Sequence, residues 1–147
     1  MNNHVRILMA DDDEDDRLLA QTAFEESSLN CMLNFAKDGS EVIRLLCDGV
    51  DQKTLPDIIL LDLNMPVVNG WQVLEKIRQM DDLKHLPIII FTTSSSSEHA
   101  RQSYKLGANS YIKKPSTYPD LVKVTREIYD YWSATVTLPC FQDIEIN

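Results

Sequence analysis

The feature that most constrains this chain is a hydrophobic pattern that repeatedly changes period. Short continuous apolar runs alternate with longer stretches in which apolar residues recur at helical spacing. Val5-Arg6-Ile7-Leu8-Met9-Ala10 is the first run, Met32 to Ala36 the second, and Ile58-Ile59-Leu60-Leu61 the most hydrophobic. Ile88-Ile89-Ile90-Phe91 and Asn109-Ser110-Tyr111-Ile112 complete the set. Between them lie predicted helices carrying Leu18, Leu19, Ala23 and Phe24, then Val42, Ile43, Leu45 and Leu46, then Trp71, Val73, Leu74 and Ile77, then a helix through Tyr104 and Leu106. A last helix carries Leu121, Val122, Val124, Thr125, Ile128, Tyr129 and Trp132. Asp13 and the Asp38-Gly39-Ser40 turn supply helix starts, and Gly107 supplies a stop. Strands that are apolar on both faces, alternating with amphipathic helices, predict an α/β fold with a parallel sheet covered on both sides. The pattern spans residues 1–132 as one domain, and 133–147 read as a tail too short for an output domain.

In an open parallel sheet, ligands bind beyond the carboxyl ends of the strands. Those ends carry Asp11 and Asp12, Asp62, Thr92 and Lys114. Three carboxylates brought together repel unless they hold a cation, and an all-oxygen ligand set without His or Cys suits a hard ion such as Mg²⁺. A divalent ion and Lys114 would then offset the acids enough for an anionic phosphoryl donor to approach, with Asp62 as nucleophile. Asp13, Glu14, Asp15 and Asp16 need no such role, because helix N-termini favour acids through capping and the macrodipole.

Composition closes off other classes. A net charge of −9 argues against nucleic acid as a direct partner. The longest apolar run is too short to span a bilayer, and the first residues carry no signal-peptide pattern, so a cytoplasmic location is expected. The cysteines, Cys31, Cys47 and Cys140, have no metal-binding spacing. Cys31 and Cys47 read as buried and reduced.

The segment Asp62-Leu63-Asn64-Met65-Pro66-Val67-Val68-Asn69-Gly70 resembles the phosphorylation segment of bacterial response-regulator receiver domains. The acid pair Asp11-Asp12, Thr92 after an apolar strand, and Lys114-Pro115 follow the same family order, and the resemblance covers about Val5 to Tyr131. It implies a flavodoxin-like, doubly wound sheet in the order 2-1-3-4-5. It implies that Asp62 is the phosphoacceptor of a signalling protein that catalyses only its own phosphorylation and dephosphorylation. It implies Mg²⁺ held by Asp12 and Asp62 side chains and the Asn64 carbonyl, with Asp11 acting through water. Thr92 and Lys114 would bind phosphoryl oxygens, and Tyr111 would be an aromatic switch that follows Thr92. The Lys114–Pro115 bond would be cis, and the readout face would run roughly from Ser97 to Trp132.

The implied donor is a phosphohistidine on a sensor histidine kinase or phosphotransfer protein. The ending Tyr131 to Pro139 is similar to that of single-domain regulators paired with phytochrome-type kinases, a subgroup that is often a homodimer. Two positions depart from the family pattern: Ser116 stands where an aromatic is common, and Thr93 where alanine is common. Phosphohydrolases that use an aspartyl phosphate also place an Asp after a parallel strand, but they need a second acid two residues on, and here that position is Asn64.

Overall fold

The computed structural model describes residues 4–27 and 29–139. Five strands form one parallel sheet: β1 (Val5–Ala10), β2 (Cys31–Ala36), β3 (Ile58–Leu61), β4 (Ile88–Thr92) and β5 (Ser110–Lys113), in the order β2-β1-β3-β4-β5. Helices α1 (Glu14–Glu26), α2 (Gly39–Gln52), α3 (Gly70–Gln79) and α4 (Ser97–Lys105) link successive strands, α5 (Tyr118–Asp130) follows β5, and a π-helical turn over Tyr131–Thr135 extends α5. The expected doubly wound order is the observed one.

The unbroken apolar strands follow from this architecture. Successive strand side chains point to opposite faces, so a strand covered on both sides must be apolar at every position. Leu8, Ile59, Leu61, Ile88 and Ile90 pack with Val42 and Leu46 of α2 and Val73, Leu74 and Ile77 of α3. Their neighbours Ile7, Met9, Ile58, Leu60, Ile89 and Phe91 pack on the other face with Ala20 and Phe24 of α1 and Ile128 of α5.

Three local expectations are corrected. In α1 the buried stripe is Ala20, Ala23 and Phe24, whereas Leu18 and Leu19 are 61% and 46% exposed. The i, i+3, i+4 spacing from Ala20 defines the face turned to the sheet, and Leu18 lies on the opposite side of the helix. Cys31 and Cys47 are half-buried rather than buried. Cys31 belongs to β2, an edge strand with one open side, and Cys47 to a flank of α2. Cys140 lies outside the described residues. The third correction, at Lys114–Pro115, concerns the functional site.

The ends of the elements are chemically specified. Asp13, Asp38, Ser96 and Thr117 each cap a helix by accepting backbone N–H bonds, and Asn69 and Gln72 form a reciprocal capping box on α3. Helix α4 stops at Gly107, whose φ of 106° only glycine adopts readily. There Gly107 N–H donates to Tyr104 and Ala108 N–H to Ser103, the paired bonds of a Schellman stop.

Val67, in the loop between β3 and α3, has a φ of 65° and is 95% exposed. A β-branched residue is strained in the left-handed region, and this one buries nothing in return. Val67→Asn is therefore expected to stabilise the fold by about 1 kcal/mol, read as a higher urea midpoint at unchanged slope. An unchanged or lower midpoint would contradict the strain.

Candidate functional site

The sheet brings its carboxyl ends to one rim, where the sequence places its acids. The Asp11 N–H continues the ladder by donating to Ala36, and the Asp62 N–H donates to Ala10. Both side chains are thus fixed at strand ends, Asp11 fully buried and Asp62 only 5% exposed. One oxygen from each of Asp11, Asp12 and Asp62 lies within 4.8 Å of the others, with Asp12 exposed to solvent. Asp62 Oδ1 accepts the Asn64 N–H at 3.2 Å, which turns the loop, while the Asn64 side chain is exposed and Leu63 and Met65 are buried anchors on either side.

Lys114 joins the acids across the sheet. Its ammonium bonds Asp11 Oδ2 at 2.5 Å, Asp16 Oδ2 at 2.9 Å and Asp62 Oδ2 at 3.2 Å. Burial alone would lower the Lys114 pKa, but the hydrogen bonds to Asp11 and Asp16 and the charges of Asp11 and Asp62 outweigh it and hold the group above its ordinary value. Burial pushes the Asp11 carboxyl above its ordinary range. Its bonds from Lys114 and from the Asp13 N–H pull it back without cancelling the effect.

The peptide bond from Lys114 to Pro115 is trans, like every peptide bond among the described residues, which corrects the expected cis bond. Trans is the intrinsically favoured form by about 0.5–1 kcal/mol. With it, Lys114 already donates its N–H to the Thr92 carbonyl at 2.7 Å and reaches all three carboxylates, so nothing at the site demands the other isomer.

Thr92, the last residue of β4, is fully buried, and its Oγ1 finds no hydrogen-bond partner among the described residues. A buried hydroxyl without a partner is costly, and it is usually explained by a ligand or an ordered water. Two residues on, the Ser94 carbonyl accepts the Tyr111 hydroxyl at 2.9 Å, tying β5 to the loop that follows Thr92.

The sequence expectations included none of the further contacts in this loop. Ser94 Oγ meets His99 Nδ1 at 2.6 Å, and the His99 ring stands edge-on to Trp71 at 5.3 Å. Trp71 Nε1 donates to Ser103 Oγ, whose hydroxyl donates to the His99 carbonyl. These contacts join the loop after Thr92 to α3 and α4. They depend on tertiary position, and the local pattern of the sequence carries no signal for them. Helix-end electrostatics alone would account for an acid at Asp16, yet its side chain lies on Lys114.

The donor set fits a hard divalent ion. It is all oxygen and carries excess negative charge, and Thr92, whose hydroxyl has no partner among the described residues, ends the neighbouring strand β4.

Comparison with known proteins agrees with this geometry. The model of the response regulator receiver domain matches residues 7–126. The response regulator Rcp1 of Synechocystis is 35% identical over 135 residues, covering 90% of this chain and 92% of that protein. The crystal structure of the Mn²⁺-bound form of Rcp1 aligns with a TM-score of 0.80 at 35% identity, covering 92% of this chain and 99% of that one. The phosphorylated cyanobacterial phytochrome response regulator RcpA aligns with a TM-score of 0.85 at 32% identity, again over 92% of this chain and 99% of the other. Sheet order, the acidic rim and the sequence match coincide over the same residues, and the chain belongs to the response regulator receiver domain family.

Proposed function

We propose that Asp62 accepts a phosphoryl group from a phosphohistidine and that the protein relays the signal as a stand-alone response regulator. The observation that carries this reading is a nearly buried aspartate bonded to a lysine, within one acidic cluster. In the transfer, an Asp62 carboxylate oxygen forms a bond to phosphorus while the bond from phosphorus to the donor imidazole nitrogen breaks, its electron pair staying on the imidazole. Lys114 offers an ammonium hydrogen to a phosphoryl oxygen, and the Thr92 hydroxyl offers another. Catalysis is positioning and charge stabilisation.

Asp12, Asp62 and the Asn64 carbonyl would hold Mg²⁺, with Asp11 acting through water; the Mn²⁺ form of Rcp1 supports a divalent site. The bound ion supplies positive charge that offsets the carboxylates and the incoming phosphoryl oxygens. The lysine N–H bond to the Thr92 carbonyl links the two phosphoryl-binding side chains. A shift of Thr92 toward a phosphoryl group would be felt at Ser94 and hence at Tyr111, which supports Tyr111 as the switch residue.

The donor is proposed to be a phytochrome-type histidine kinase or its phosphotransfer protein, on the likeness to RcpA. A homodimer is proposed, supported by a hollow between β5 and α5 in which Ile112, Val124, Ile128, Tyr131 and Trp132 form the apolar lining and Asn109, Ser110 and Glu127 the polar part. The net charge of −9 supports action without direct nucleic-acid contact. A cytoplasmic location fits these partners, and no described helix is long and apolar enough to cross a membrane.

Incubation with phosphoramidate and Mg²⁺ is expected to add the mass of one phosphoryl group to the wild type and none to Asp62→Asn. An unlabelled wild type, or an equally labelled variant, would overturn the assignment.

A further inference from the structure

We propose that Asp16 is a positioning residue for Lys114, directing the lysine's remaining hydrogen at the phosphoryl-accepting carboxylate; this rests on the reading of Asp62 as the phosphoacceptor. Asp16 is the third residue of α1, where an acid ordinarily serves the helix start. Here the helix start is satisfied without it. Asp13 Oδ1 accepts the Asp15 and Asp16 N–H groups at 2.8 and 3.2 Å, and the Asp13 N–H, which a capping-box acid would otherwise bind, donates to Asp11 Oδ1 at 2.9 Å. The Asp16 carboxylate is therefore free to cross to Lys114, 98 residues away in sequence, at 2.9 Å.

An ammonium has three hydrogens in fixed tetrahedral relation. Asp11 and Asp16 take the two shorter bonds, at 2.5 and 2.9 Å, and Asp62 takes the longest, at 3.2 Å. The two anchors come from different elements, the end of β1 and the first turn of α1. Held at two points, the ammonium cannot rotate freely about its stem, and its third hydrogen points to Asp62. A phosphoryl group forming on Asp62 meets that hydrogen with little reorganisation. Without Asp16 the ammonium keeps one firm anchor, and its rotation is restrained less. Asp16 lies outside the group of three carboxylates able to share a metal, and its side chain is 36% exposed, so its replacement leaves no buried cavity.

The test compares Asp16→Ala and Asp16→Asn. The maximal rate and the half-saturating concentration are measured with phosphoramidate and Mg²⁺, and melting temperatures check that both variants are folded. Asp16→Ala is expected to lower the maximal rate about fivefold to tenfold, the scale of one partly exposed charge-assisted hydrogen bond, without raising the half-saturating concentration. Asp16→Asn keeps a carbonyl acceptor for the ammonium and recovers most of the loss. A maximal rate for Asp16→Ala at or above wild type would show that Asp16 is only a repulsive charge, and would overturn the proposal. So would an Asp16→Asn rate as low as that of Asp16→Ala. The wild type and Asp62→Asn run alongside: a wild type that takes no phosphoryl group overturns the parent reading and this one together, whereas normal labelling with an unaffected Asp16→Ala overturns this one alone.

Discussion

Lys114→Met is expected to slow phosphoryl acceptance by about a hundredfold, the usual cost of removing one preorganised donor from a developing charge. The same change is expected to destabilise the fold by about 3 kcal/mol near neutral pH, because it strands acids that have left water. Methionine keeps an unbranched apolar stem in place of lysine's but supplies no charge and no hydrogen for the acids. Asp11, fully buried, and Asp62, 5% exposed, would lose their shared cation.

The pH dependence has a definite sign. Burial already holds the Asp11 carboxyl above its ordinary value of 3.8, and Lys114 opposes that rise. Without the lysine the carboxyl rises further. An acid raised on folding costs stability at higher pH, and the cost is relieved as pH falls through the raised value toward 3.8. Lys114 itself is raised above 10.5, so its own contribution in the wild type is fully present below 10.5 and is lost only as pH rises through the folded value. The deficit of the variant should therefore be largest near neutrality and shrink on acidification to about pH 5. Added Mg²⁺ should reduce it too, since binding to the folded acids stabilises them. Urea unfolding at the two pH values, with and without Mg²⁺, provides the measurement. A deficit that is independent of pH, or no deficit at all, would contradict the argument.

Gly70→Ala is the second large effect. A Cβ at Gly70 would sit 2.3 Å from the Asp62 carbonyl oxygen, 2.8 Å from Leu63 Cα and 3.0 Å from the Asp62 carbonyl carbon. All three are backbone atoms that cannot turn aside as a side chain can. They belong to the loop that carries Asp62, and the Gly70 N–H also donates to the Leu63 carbonyl. Relief of the clash must move either the start of α3 or the backbone of Asp62. The expected cost is more than about 3 kcal/mol, seen as a melting temperature lower by about 10 °C. A displacement of about 1 Å at Asp62 would also slow phosphorylation by about a hundredfold. Gly49→Ala is the internal comparison. Its nearest clash is the tip of Leu55 at 3.2 Å, and the helical preference of alanine over glycine, up to about 1 kcal/mol and less here in the last turn of α2, offsets it, so its melting point should change little. Equal melting points for Gly70→Ala and the wild type would sink the prediction.

Much of this was legible in the residues. Residues 7–10, Ile58–Leu61 and residues 88–91 are apolar at consecutive positions, the pattern of a strand covered on both faces. A parallel sheet then brings every strand end to one rim, which gathers Asp11, Asp12, Asp62 and Lys114 without reference to their partners. The caps at Asp13 and Asp38 and the stop at Gly107 are equally local, since each depends on one side chain or one backbone angle.

What the sequence could not decide was partner choice among like residues. Leu18 and Ala20 differ in fate through the face of α1 that is turned to the sheet. Asp16 is the sharpest case. Its neighbours Glu14 and Asp15 share its charge and its helical turn, and one local clue existed: Asp13 and Asp16 bracket a helix start whose N-cap N–H is already taken by Asp11. Local physical chemistry fixes period, cap and turn, because those need only neighbouring atoms. Asp11 and Asp62 meet Lys114 through the register of β1 against β3, β3 against β4 and β4 against β5, and Asp16 through the place of α1 beside that rim, and both exist only once the sheet has formed.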